Sequence, residues 1–433
     1  MIFRNSIKSI LRTPVKTVLF ALLIAAVTAF LYLGVNTWAA SVGMLRECDG
    51  NCATIVAMEY LGDYYPYEAA YDEGMAAEVA DIDFSPIAEN KNVLLWQPTE
   101  LSIGIADGFV AHSEGMLYND FCVLVVRGIH QYHENSPYCG TLVESLYSYR
   151  GYVPGRSVYV YDNRLDGVDF VPDPEATYVL FGYCSPSGMS LDIYLLHFND
   201  DMAGLSGIDC GAVLPYREIE SIEALREDGD NIFLLVADYY NVMSNKLYVY
   251  RTESLLELEE FNQDYMRLLS GRPFAREEAR AGAKVCVISE TLANGLGLKV
   301  GDTLRLRMPE GGATLPSTFS WGQRLTRTES YTVLGVASHC EGYQFNVYVP
   351  AVPRSPHPAH YIYKLGQATI KNGTAGSFLA QIKPLLPARV SLSAYDQGYQ
   401  ATADSLFVIR NAAAALSLVA FAVTVAALAF FAY

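Results

Sequence analysis

Thr17 to Leu45 contains no charged residue, and Asn411 to Tyr433 is a second uncharged run, of 23 residues. Helices over either stretch are long enough to cross roughly 30 Å of hydrocarbon. Whatever folds between two such runs is tethered to a membrane at both ends. A secretory signal peptide is the rival reading of the first run. That run outlasts the usual apolar region of about 7–15 residues, and Trp38 near its end suits an interfacial anchor. The reading adopted is an uncleaved transmembrane helix over residues 17–40 and a second over 406–433. The second is entered from a helix that begins near Gly398 and runs on without a break past Arg410. Its small residues, Ala412 to Ala415, Ala420, Ala422, Ala426 and Ala427, allow close approach of another helix.

Charge orients this plan. The chain carries −17, but residues 1–16 hold Arg4, Lys8, Arg12 and Lys16 and no acid. That segment is +4 and the remainder −21. Ile2, Phe3, Ile7, Ile10 and Leu11 lie at helical spacing with the cations between them, so 1–16 reads as a cytoplasmic amphipathic helix on anionic membrane lipids. Pro14 is expected to bend the chain before it enters the bilayer. The basic flank places the N-terminus inside, which puts about 46–405 outside. The acidic balance argues against nucleic acid as a partner.

The eight cysteines, at 48, 52, 122, 139, 184, 210, 286 and 340, all lie between the apolar ends. Their number permits disulfides without fixing a pattern. Cys48 and Cys52 could close a small loop or stand as free thiols, and no second Cys/His pair sits at zinc-finger spacing.

The exterior is rich in short strand candidates: Thr54–Met58, Asn92–Trp96, Cys122–Arg127, Ser157–Tyr161, Tyr178–Tyr183, Leu191–Phe198, Asn231–Ala237 and Lys246–Tyr250. Leu255, Leu258, Phe261, Tyr265 and Leu268 share one face of an expected helix over Thr252–Ser270, ended by Gly271. Thr374–Lys383 reads as a short helix stopped by Pro384, and Arg389–Ser393 as a strand. The densest pattern lies between Gly271 and Pro350. Lys284–Ile288 suits a buried strand, Ser289 an N-cap for the helix ETLANGL, and Gly301-Asp302 a turn. Thr303–Met308, Tyr331–Val336 and Phe345–Val349 read as further strands, which makes a compact α+β module.

The strings GRPF, VCVISETLANGLGLKVGDTLRL and YTVLGV resemble the periplasmic or extracellular core domain of MacB/FtsX-type ABC transporter permeases. The resemblance is close over about eighty residues, and the two chain ends match it in character. It implies an α+β extracellular domain, a MacB-like core with two lobes, inserted between two transmembrane α-helices. No family motif stands between about 60 and 250, so the exterior divides into a variable lobe, 41–250, and a core lobe, 251–405. A family member is expected to have two further helices and a cytoplasmic loop that docks the ATPase. The sequence ends at Tyr433, which reads as a fragment or as a chain whose remaining helices lie on another polypeptide.

Catalytic signals are weak. No stretch matches the phosphate-cradling G-x-x-x-x-G-K-[ST] loop, and the resemblance implies that ATP hydrolysis belongs to a separate ABC ATPase subunit. His130, His133 and Glu134 match neither zinc-protease pattern, and His357 and His360 read as a rigid exposed turn beside prolines. No catalytic, cofactor-binding or metal-binding residue is assigned. Asp63–Tyr67 and Asp238–Asn241 mix tyrosine with polar groups and are weighed as a recognition surface for a peptide or glycan. The resemblance implies a homo- or heterodimeric permease in a bacterial plasma membrane. It would export or extract peptides, lipoproteins or amphipathic molecules. The alternative is a membrane-anchored scaffold whose ectodomain regulates an extracellular partner such as a cell-wall hydrolase.

Overall fold

The structure is a computed structural model that describes residues 14–60, 79–106, 109, 120–132, 140–148, 157–162, 170, 173–187, 190–196, 214–228, 231–309, 324–338, 345–358 and 364–432. Three long helices are α1 (Pro14–Asn51), α2 (Ile232–Asn245) and α3 (Tyr399–Ala432). The strands in chain order are β1 (Thr54–Tyr60), β2 (Val93–Pro98), β3 (Glu100–Ala106), β4 (Asp120–Tyr132), β5 (Gly140–Ser148) and β6 (Ser157–Asp162). Then come β7 (Thr177–Ser187), β8 (Ser190–Leu195), β9 (Tyr216–Ile219), β10 (Leu247–Thr252), β11 (Leu268–Gly271) and β12 (Val285–Ser289). Last are β13 (Thr303–Met308), β14 (Arg327–Ala337), β15 (Asn346–Pro350), β16 (Lys364–Ile370) and β17 (Val390–Tyr395).

Apolar helices long enough to cross a membrane stand at both ends. Pro14 begins α1, where its missing N–H costs nothing. The two helices touch along a narrow seam. Val27, Ser41, Ala413 and Ala420 are buried there, while Leu22, Leu418 and Phe421 remain more than half exposed. Gly34 sets the spacing: a Cβ there would stand 2.3 Å from Ser417 Oγ.

Three sheets make up the rest. Next to the helices lies an antiparallel sheet of order β17-β1-β16-β2. Val56, Met58 and Tyr60 alternate toward one face, where they pack with Trp96, Phe378 and Ile382. The second sheet runs β11-β14-β12-β15-β10-β3-β13. Because β13 also pairs with β14, six of these strands form a closed ring. Val249, Cys286, Ile288, Leu304, Leu306, Val333 and Val347 share its core with Leu292 of the short helix Glu290–Leu296. Ser289 caps that helix, its hydroxyl accepting from the Leu292 amide, and Gly297 ends it at φ +65°.

The third sheet, β4-β5-β6-β8-β7-β9, is likewise drawn round by a β4–β7 pairing. Strand alternation divides its cores: Cys122, Leu124 and Val126 pack with Leu180 and Ile193. Val123 and Val125 pack instead against Phe233, Leu234 and Ala237 of α2.

Two sequence expectations are corrected here. Asn231–Ala237 is the start of α2 and no strand; Asn231 caps it by accepting from the Phe233 amide at 3.0 Å. A short, wholly apolar run has no period to distinguish strand from helix. Thr252–Ser270 contains only one helical turn, Glu259–Asn262, followed by β11. Thr252 closes β10, and its hydroxyl bonds Ser254 O at 3.1 Å. Leu255, Phe261 and Met266 wrap the ring's outer face against Val287 and Tyr348, and Asp264 breaks the helical path at φ +62°. A division at residue 250 does not follow the pairing. β1 and β2 join strands from beyond residue 363, and the core ring takes β3 and β10 from the earlier half.

Candidate functional site

α1 and α3 attach to neighbouring strands. α1 ends at Asn51 and β1 starts at Thr54; β17 ends at Tyr395 and α3 starts at Tyr399. β1 and β17 are paired along their length, from Ile55↔Tyr395 to Tyr60↔Val390. Both apolar terminal helices are therefore continuations of one hydrogen-bonded strand pair.

Three side chains seal the junction. Asn372 Nδ2 donates to Cys52 O at 2.9 Å and Asp49 O at 3.2 Å, and its Oδ1 accepts from Thr54 Oγ1 at 2.7 Å. These contacts occupy carbonyls at the end of α1, where helical partners run out. Gln397 Oε1 accepts from the Ala53 amide at 3.0 Å, and its Nε2 donates to Asn262 O at 3.1 Å. Asn262 Nδ2 returns a bond to Ala53 O at 3.3 Å. Gln397 holds φ +55°, a left-handed conformation that costs a non-glycine residue about 1–2 kcal/mol. Its side-chain bonds hold it there, and Gly398 at φ +79° completes the turn into α3. Cys48 and Cys52 at this corner are free thiols with sulfurs 3.8 Å apart.

A polar seam links this first sheet to the ring. On β16, Lys364 Nζ pairs with Glu259 at 3.0 Å, Gln367 Nε2 donates to Glu257 O at 2.8 Å, and Thr369 Oγ1 donates to Glu257 Oε2 at 2.7 Å. Behind it, Tyr348 donates to the buried Glu260 at 3.0 Å and accepts from Asn346 at 2.9 Å. Burial raises Glu260 above the ordinary carboxyl value, against the smaller opposing pull of Lys364. A further clamp ties the ring to α2. Asp238 holds Arg307 at 3.1 Å, Arg324 at 3.2 Å and the Leu325 amide at 3.1 Å.

The sequence-singled residues fall differently. Asp238 is 5% exposed, so it cannot belong to a recognition surface; its neighbourhood is the clamp. Asp63–Tyr67, His133, Glu134 and His360 lie outside the described residues, and His130 stands in β4. His357 is not a free-standing turn residue: its ring packs edge-on to Phe84 at 5.1 Å, and the neighbouring Pro356 carbonyl accepts from Trp96 Nε1 at 2.8 Å. Among the described residues no group of three His, Cys, Asp or Glu is placed to hold a metal. Asn372 and Gln397 were missed. Their one signal was that each precedes a glycine, which marks a turn but names no partner.

Comparison with known proteins gives one family match. Residues 194–384 match the MacB-like periplasmic core domain. A solved structure, the periplasmic region of MacB from Actinobacillus actinomycetemcomitans, aligns over 82% of this chain and 90% of its own at 9% identity and a TM-score of 0.26. That likeness is too weak to support any conclusion. No curated protein matches the chain. The family match begins at residue 194, inside the stretch in which the sequence showed no family motif, and takes in most of the core ring. Residues 194–384 are thus similar to a MacB-like periplasmic core domain, and apolar helices long enough to cross a membrane stand at both ends of the chain that carries it.

Proposed function

We propose that the chain is the permease subunit of an ABC transporter in which a separate ATPase moves the membrane helices and the exterior domain follows. The observation that carries this reading is the junction. Both helices pass into one paired strand unit, β1 and β17, which Asn372 and Gln397 lock to their ends. A tilt between α1 and α3 would therefore shear the first sheet instead of being absorbed by a slack linker. The polar seam at Glu257–Glu260 would hand that motion to the core ring, and the Asp238 clamp to the third sheet. In this reading the N-terminus is cytoplasmic, the domain between the helices is outside, and two permease chains assemble with the ATPase. The cargo class is peptides, lipoproteins or other amphipathic molecules.

The test is a distance measurement in nanodiscs. The full chain, co-assembled with its ATPase, would carry spin labels at Gly43 on α1 and at the exposed Leu256. A shift in the label–label distance on adding ATP, lost in an ATPase unable to hydrolyse it, is the expected outcome. Distances indifferent to nucleotide would sink the coupling reading and leave an anchored scaffold.

A further inference from the structure

An open groove of about 850 Å³ lies at one end of the core ring. It lies between the Ala279–Lys284 turn and the segment that follows β15. Its volume is that of sites for small organic ligands or short peptides. Among the described residues five cations line it, Arg251, Arg280, Lys284, Arg327 and Arg354, against two carboxylates, Glu100 and Glu329. This positive excess stands on a chain of net charge −17.

The local ion pairs do not neutralise it. Glu329 alone serves three cations: Lys284 at 2.7 Å, Arg327 at 3.1 Å and Arg251 at 3.7 Å. Burial opposes its ionisation, but the bonds from Lys284 and Tyr331 outweigh that and hold it at about 2. Arg280 leans on Glu253 at 3.3 Å, which still leaves the cations in the majority. Burial raises Glu100 above the ordinary carboxyl value, against the opposing pull of the Arg354 amide and of the Arg251 and Arg354 charges. Arg327 Nε is buried with no hydrogen-bond partner, since its approach to Glu329 is off-line. Guanidinium groups grouped in this way suit carboxylate and phosphate oxygens, which they bind in pairs.

We propose that this groove is a binding site for a soluble polyanionic ligand, one that carries two or more carboxylate or phosphate groups. The fold fixes the side from which it comes. At the membrane end Thr54 pairs with Ile370, and at the other end of the same sheet Pro98 pairs with Gly366, two residues before Glu100. The groove therefore sits roughly 20 Å from the junction at strand spacing, out of reach of headgroups in the bilayer. The ligand arrives from the aqueous exterior. This site stands whether or not an ATPase drives the chain.

The experiment is calorimetric titration of the full chain in detergent at low salt, with tripolyphosphate and with tetraglutamate as separate probes. Arg280, Lys284 and Arg354 are exposed, so the triple variant Arg280→Glu/Lys284→Glu/Arg354→Glu tests the groove without touching a core. A control with the same charge change elsewhere is Lys299→Glu/Arg305→Glu/Lys383→Glu, also at exposed positions. At least one probe is expected to bind the native chain, to lose at least tenfold in affinity in the groove variant, and to stay within threefold in the control. Binding of tripolyphosphate alone identifies a phosphate ligand; binding of tetraglutamate alone identifies a carboxylate one. Failure of both probes to bind, or equal weakening in both triple variants, overturns the proposal. Should the groove variant unfold, Arg354→Glu alone must cost at least threefold, and no change there overturns it as well.

Discussion

Replacing Asp238 by alanine removes one acceptor shared by two guanidinium groups and a main-chain amide. The carboxylate is 7% exposed, while Arg307 and Arg324 keep 27% and 22% exposure. Breaking a fully buried pair costs about 3–5 kcal/mol; water that reaches the arginines returns part of that. The stranded Leu325 amide, in a residue 4% exposed, adds about 1–3 kcal/mol. A net local loss of about 3 kcal/mol follows, and since each tenfold is about 1.4 kcal/mol, opening becomes on the order of a hundredfold easier. Asp238→Asn keeps one oxygen for the Leu325 amide and is expected to lose about half as much. The assay is amide hydrogen exchange followed by mass spectrometry, read on peptides that cover 324–338. Those peptides should exchange about a hundredfold faster in Asp238→Ala, with β1 and β17 unchanged. Exchange within threefold of the native rate, or an Asn variant as weak as the Ala variant, would refute the clamp.

Three further outcomes are expected. Gly34→Ala should lower the thermal midpoint in detergent, because overpacking of about 1–3 kcal/mol meets Ser417 Oγ; adding Ser417→Ala should restore most of it, and no rescue would argue against that contact. Glu278, held at about 2 chiefly by Arg272, and Glu329, at about 2, both lie below their ordinary 4.5. The stability they add is whole above pH 4.5 and fades as pH falls toward 2. An acid titration of Glu329→Gln should be flatter than the native one across that window. Glu260 has the opposite sign: burial raises it, so its ionisation costs stability above pH 4.5. Glu260→Gln should therefore raise the midpoint at pH 7 by at least about 2 °C, with the gap closing at pH 4; a lower midpoint at pH 7 would contradict the assignment.

Much of this molecule was legible locally. The charge-free runs became α1 and α3, because a stretch that long and apolar has few other solutions. β-branched runs and alternation placed β1, β2, β10, β12, β13 and β14, and Ser289 marked its helix start, because caps and pleats depend on neighbours within a few residues. Propensity failed where burial surrounded the chain. Asn231–Ala237 is apolar on every side, so no period showed that it was helical. Leu255 and Phe261 had a helical spacing that the curved surface of the ring overrode.

What the residues in order could not supply is partnership across distance. Asp238 read as a surface aspartate beside tyrosines until tertiary structure brought Arg307 and Arg324 to it from 69 and 86 positions away. Gln397 reaches Ala53 across 344 positions, and Asn372 reaches Thr54 across 318. Sequence alone determined that the chain has an apolar run long enough to cross a membrane at each end and is rich in strands between, since hydrophobic length and period are local properties. Only the tertiary structure decided that both apolar terminal helices grow from one strand pair, and that five cations gather at a groove on an acidic protein. Those facts depend on which strands pair, and pairing is settled by the joint burial of distant segments.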